Sequence, residues 1–291
     1  MLTLQSRVCP LTLALGFAVV SFTGSVQPLL AQERVAMHRH HQQTLFKLPT
    51  TTQDPGAPVG RREGGSSRGD KIALCKQATE VLDKGCSTTR LTALVPATPI
   101  SQGKTQIGGQ TMAAHPEFFF FVSQLPNSQS SETASLPMEF VLQDEADAYV
   151  YRTQFVLPFT RGGIMRLPIP STSPPLEVGK RYTWTLVTHF NRHETHFVQG
   201  TIYRRGLTPQ QQQQLQAAKM PLQRFHLFLQ TGSWFDAVSA LVDLKQAAPT
   251  DLKLQSLWAH LLQDVDLEEL AKEPMLFCCT PNSQAFLAPG T

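Results

Sequence analysis

Between residues 89 and 206 the chain breaks into short runs: LTALVP, EFFFFVSQL, MEFVLQ, AYVYRTQFVL, IMRLPIP, RYTWTLVTHF and HFVQGTIYRR. Each is rich in Val, Ile, Thr or aromatic residues and is bounded by Gly, Pro, Asn, Asp or Ser, the signature of strands and tight turns. No helical period separates them, which argues against a parallel sheet with crossover helices. Tyr182, Trp184 and Leu186 alternate with Arg181, Thr183 and Thr185, and Tyr149 and Tyr151 with Val150 and Arg152. The pattern predicts about seven antiparallel strands in an immunoglobulin-like β-sandwich over residues 89–206. Phe118 to Phe121 must also alternate, two phenyls facing the core and two facing outward. An exposed pair is a liability or a binding groove. The C-terminal helices, led by Trp234 and Trp258, are expected to cover it, with a ligand groove as the alternative.

After Gly206 the period becomes helical, giving an α+β chain with a small helical domain over residues 207–274. Thr208-Pro209-Gln210-Gln211 is a capping box with Pro at the first helical position. Pro221 ends or kinks that helix. Trp234, Ala237, Val238, Leu241 and Leu244 share one face, and Leu254, Leu257, Trp258, Leu261 and Leu262 another. Asp266 to Glu269 reads as the start of a last short helix. GSWFDAVSALVDLKQAAP is like the second helix of a tetratricopeptide repeat, but the unit does not recur. Such repeats need about three copies to bury a core, so a single repeat-like appendage packed on the β-domain is expected.

The N-terminus reads as an address. Arg7 precedes the apolar run VCPLTLALGFAVV, and Ala31 precedes polar residues, which fits a secretory signal peptide over residues 1–31 cleaved near Ala31. A periplasmic or secreted protein is expected, with no transmembrane segment in the mature chain. Net charge is +3; residues 1–31 contribute +1 and residues 32–70 contribute +2, leaving the remaining 221 residues near zero. That balance gives no basic face for nucleic acid. Export permits disulfides, and Cys75 with Cys86 could close a short loop. Adjacent Cys278 and Cys279 lie in a loose tail over residues 275–291.

Residues 32–88 lack periodicity and read as a flexible arm, with a short helix around Ile72 to Leu82. Within it, GAPVGRREGGSSRGD mixes Gly and Arg as a phosphate loop would. A nucleotide loop needs a following Lys-Ser or Lys-Thr in a strand-to-helix frame, and both are missing. Arg61, Arg62 and Arg68 are therefore candidate contacts to an acidic partner, and Trp234 a candidate contact on the helix face. DEAD at residues 144–147 sits between two strands and reads as a hairpin turn. His189, His193 and His196 form the best metal candidate, because three imidazoles could converge across a hairpin. Strand alternation works against that convergence, so ordinary hairpin histidines are the competing reading. No GxSxG elbow is present, and no cofactor or catalytic residue is assigned.

The order GAPVGRREGGSSRGD, LTALVP, FFFFV, EFVLQDE, VYRTQFVLP, PLEVGKRYTWTL, FVQGTIYR, GSWFDAVSALVDL and WAHLL resembles the cyanobacterial Domain of Unknown Function 928 family, over roughly residues 56–272. The resemblance implies an exported protein of a photosynthetic bacterium with no assigned activity. That family usually carries a Cys-Asp-Pro-type hairpin after the Trp184 strand, where this chain has THFNRHETHF without Cys. The expected function is non-enzymatic binding or assembly in the cell envelope, through an unidentified envelope protein. The alternatives are a carbohydrate-binding module, which would need a line of exposed aromatics on one sheet face, and a metal-dependent enzyme at the His189 hairpin.

Overall fold

The computed structural model describes residues 45–46, 60–64, 91–100, 104–123, 135–158, 162–191 and 194–276, all within one compact unit spanning residues 43–291. The signal segment, Arg68, Cys75, Cys86, the Ile72–Leu82 helix, His193, Cys278 and Cys279 lie outside these residues. The seven runs legible in the sequence all form strands: β2 (Leu91–Ala93), β5 (Glu117–Val122), β6 (Ser135–Gln143), β7 (Tyr149–Pro158), β8 (Gly163–Pro168), β9 (Arg181–Asn191) and β10 (Glu194–Arg204). Four more join them: β1 (Glu63–Gly64), β3 (Ala97–Pro99), β4 (Thr105–Thr111) and β11 (Met275–Leu276).

Two sheets result, one ordered β1-β2-β5-β8-β11 and the other β3-β4-β10-β9-β6-β7. The pairing is not wholly antiparallel, since β4 with β10 and β8 with β11 run parallel. After β4 the chain crosses to the other sheet as β5, which leaves the flank of β4 open to the later β10; no crossover helix is required. The inner faces meet through aromatic rings. Phe118 lies 4.9 Å from Phe140 and 6.0 Å from Trp184, and Phe120 lies 5.7 Å from Trp184. The arrangement is sandwich-like, and mixed α+β once the helices are added.

Four α-helices follow among the described residues: α1 (Pro209–Ala217), α2 (Pro221–Gln230), α3 (Trp234–Ala247) and α4 (Leu252–Gln263). The capping box expected at Thr208 and Gln211 is formed, with Pro209 inside it. A 3-10 turn, Glu268–Lys272, replaces the expected last helix. Asp266 does not cap it, because its backbone is left-handed at φ 57° and Leu267 takes the cap position.

All four phenyls of Phe118–Phe121 are buried, so no groove opens on them. Phe119 stands opposite Arg166 in the β5–β8 ladder, on the outer face. There Arg166 bonds Glu117 beside it and Asp243 of α3 above it, both at 2.7 Å. Asp243 of α3 thus reaches the outward face, while Phe235 of α3 lies 5.2 Å from the inward Phe118, and the residues of α3 belong to the same hydrophobic core as the sheets.

Candidate binding edge

Residues 60–64 show what the Gly-Arg stretch does. Arg61 exchanges backbone hydrogen bonds with Gln199 of β10, at 2.7 and 2.9 Å. Two residues later, β1 pairs with β2 of the opposite sheet. One short segment thus stitches the two sheets along an edge. Gly60 makes this possible: a Cβ there would stand 2.5 Å from the Gln199 carbonyl oxygen and 2.7 Å from Ile107 Cβ. The Arg62 side chain then crosses to the helices and donates to the Val265 carbonyl at 2.6 Å. Arg61 lies over the Phe197 ring, 4.7 Å from its centroid. Both arginines, read from sequence as candidate partner contacts, here bind parts of their own chain.

Trp234 is fully buried. Its indole N–H donates to the Leu94 carbonyl at 2.8 Å, and its ring meets Phe46 edge-on at 4.9 Å. The expectation of a partner contact at Trp234 is corrected accordingly: the residue anchors α3 to the sheets and presents no surface. Nearby, Asp236 in the first turn of α3 accepts the Met112 N–H at 2.9 Å, and burial pushes its carboxyl above the usual carboxylate range despite that bond.

The histidine hairpin is the β9–β10 pair. Its successive rungs are Thr188 with His196 and His189 with Thr195, and successive rungs alternate between the faces of a sheet. His196 is buried. Among the described residues no group of three or more His, Cys, Asp or Glu is placed to hold a metal ion. The DEAD segment is the expected hairpin turn between β6 and β7. The Asp144 carboxylate is engaged by the Ala146 and Ala148 N–H groups of its own turn, both at 2.9 Å. The one strongly exposed aromatic among the described residues is Tyr149, and Phe197 and Tyr203 on β10 are half-buried.

What remains open is an edge. Of the four strands that end the two sheets, β1 and β11 have two residues each and β3 has three, whereas β7 has ten. Among the described residues, β7 pairs with β6 alone. Leu142 stands opposite Tyr151 and Gln143 opposite Tyr149, so Val150 is the extra residue of a β-bulge. The bulge brings Tyr149 to the same face as Arg152, whose guanidinium lies 5.5 Å from the Tyr149 ring and pairs with Glu139 of β6. Tyr149 is 63% exposed and Val156 is 56% exposed. A long edge of this kind presents unpaired N–H and C=O groups to any strand that approaches. Sequence reading placed the strand but not its position at the edge. The available signals were Arg152 in mid-strand and Pro158 at its end, both residues that edges tolerate.

Fold and edge together define a two-sheet α+β protein in which, among the described residues, one long edge strand stays open. The profile of the family described as Domain of Unknown Function (DUF928) matches residues 63–275, and the chain belongs to that family. No curated protein matches the chain. Among solved structures, the crystal structure of a glycosyl hydrolase family 2 (GH2) member from Bacteroides cellulosilyticus DSM 14838 is similar over 62% of this chain, at 9% identity and a TM-score of 0.24. The chain spans 35% of that structure's length, and a score this low carries no argument about fold or activity. No helix among the described residues is long and apolar enough to cross a membrane.

Proposed function

We propose that this chain is an exported, non-enzymatic binding or assembly component of the cell envelope of a cyanobacterium, acting by protein–protein interaction at the β7 edge. The export reading rests on the N-terminal sequence, and the cyanobacterial reading on the resemblance of its motifs. In this reading the two sheets form an immunoglobulin-like sandwich, and α2 with α3 form a single tetratricopeptide-like hairpin held against it. A single unit of that kind builds no solenoid groove, which leaves the sheet edge as the surface for a partner. The observation that carries the proposal is the ten-residue β7, paired on one side and bearing exposed Tyr149 and Val156. A partner's extended segment adds to such an edge by main-chain hydrogen bonds, with alternate side chains supplying selectivity. The test is cross-linking and affinity purification of the tagged chain from its native envelope, beside the Gln154→Lys/Val156→Lys variant. A partner enriched by the wild type and lost in the variant supports the edge. Equal enrichment by both, or no protein enriched above an unrelated exported control, an untagged copy of this chain counted as a partner, refutes it.

A further inference from the structure

We propose that the β7 edge is occupied by β7 of a second copy of this chain, paired antiparallel about a two-fold axis at Gln154. This rests on the edge reading above and names the occupant. The argument is one of register. A two-fold axis normal to a sheet keeps every side chain on its own face, so only residues of one face can stand opposite each other. The axis must then fall at a residue position, and there are few to choose from. At Arg152 it would set the two guanidinium groups directly opposite, and like charges there are destabilising. At Thr153 the two Arg152 residues are diagonal neighbours about 8 Å apart, still within the screening length of about 8–10 Å. At Tyr151 or earlier the bulged Val150 enters the ladder. At Phe155 the paired stretch takes in Pro158, which has no N–H to give.

The axis at Gln154 avoids all of these. It uses the regular residues Tyr151 to Leu157, between the bulge and the proline. The rungs become Tyr151 with Leu157, Arg152 with Val156, Thr153 with Phe155, and Gln154 with its own mate. The two Arg152 residues are then about 13 Å apart along the strand, beyond the screening length, and each is neutralised by Glu139 of its own copy. The aliphatic stem of Arg152 covers Val156 of the other copy, one of the two exposed apolar side chains on the strand. Half-buried Tyr151 and Phe155 each gain a cross-strand neighbour. Two six-stranded sheets join into one continuous sheet.

Sedimentation equilibrium of the purified full chain tests this, with disulfide trapping to read the register. The wild type is expected to dimerise reversibly. Gln154→Lys sets two ammonium groups opposite each other and should weaken association by about fivefold or more, with circular dichroism and melting temperature unchanged. Gln154→Cys places two thiols within bonding reach across the axis, so mild oxidation should trap a covalent dimer, whereas Arg152→Cys should not trap one. A wild type that stays monomeric at every concentration, or Arg152→Cys trapping as readily as Gln154→Cys, overturns the proposal. A monomer that still loses an envelope partner in the Gln154→Lys/Val156→Lys variant overturns self-pairing and leaves the edge reading standing. A monomer with no enriched partner overturns both.

Discussion

Trp184 and Gly200 show how tightly single residues are specified in the inter-sheet core. The two stand opposite each other on β9 and β10, facing inward, and the indole lies where a side chain on residue 200 would be. A Cβ at Gly200 would also stand 2.7 Å from the backbone carbonyl of Ile107, which cannot move aside without disturbing β4. Gly200→Ala should therefore cost about 1–3 kcal/mol, as overpacking does in dense cores, read as a lower urea midpoint at unchanged slope. Asp236 offers a test of the opposite sign with pH. Burial raises its folded carboxyl above the unfolded value, so its contribution is fully present below the unfolded value, near about 4, and is lost as pH rises through the folded one. Asn at this position keeps an acceptor for Met112 and does not titrate. The stability gap between wild type and Asp236→Asn should thus narrow from pH 4 to pH 7 in paired urea titrations; a gap that widens would rule out the raised carboxyl.

Elements whose residues carry a repeating pattern were legible, and those placed by their neighbours were not. The run RYTWTLVTHF announced β9 because its alternation matches one buried and one open face, and Thr208 with Gln211 announced α1 through its cap. Strand β4 reads TQIGGQT, with glycine and glutamine where β-branched and aromatic residues would signal a strand. Strands β1 and β11 have two residues each, too few for any period. Alternation also misplaced one residue: it put Tyr149 and Tyr151 on one face, and the bulge at Val150 parts them. The binding edge was hidden for the same reason, since being last in a sheet is a property of the partners a strand lacks. The Gly-Arg stretch, read as part of a flexible arm, lies against both sheets at residues 60–64. Gly60→Val should break that stitch by collision with Gln199 and Ile107. Hydrogen exchange should then speed at the Gln199 and Ala93 amides, which bond Arg61 and Arg62, while the β6–β9 amides stay protected. Uniform loss of protection would show the segment to be part of the folding core rather than a local clasp.

For the molecule as a whole, the helices and the sheets are one thermodynamic object. Their buried residues form one continuous cluster, from Leu91 and Phe118 to Trp234, Trp258 and Leu270. Polar ties cross the same boundary, among them Arg166 to Asp243, the Trp234 indole to Leu94, the Met112 N–H to Asp236, and Arg62 to Val265. Phe118 meets Phe235 of α3 at 5.2 Å, and Phe235 and Trp234 are buried between helix and sheets; baring large aromatic groups of this kind forfeits about 2 kcal/mol for each. Breaking the ties adds about 1 kcal/mol for each hydrogen bond left unmade, against a total stability of only about 5–15 kcal/mol for a domain. A chain ending at Gly206 should therefore fail to fold cooperatively, binding hydrophobic dye and lacking a sharp near-ultraviolet dichroism signal. The chain through Leu276 should melt in one calorimetric transition with matching calorimetric and van't Hoff enthalpies. Two resolved transitions, or a shortened chain that melts sharply without binding dye, would show instead that the sheets fold alone and the helices are an independent appendage.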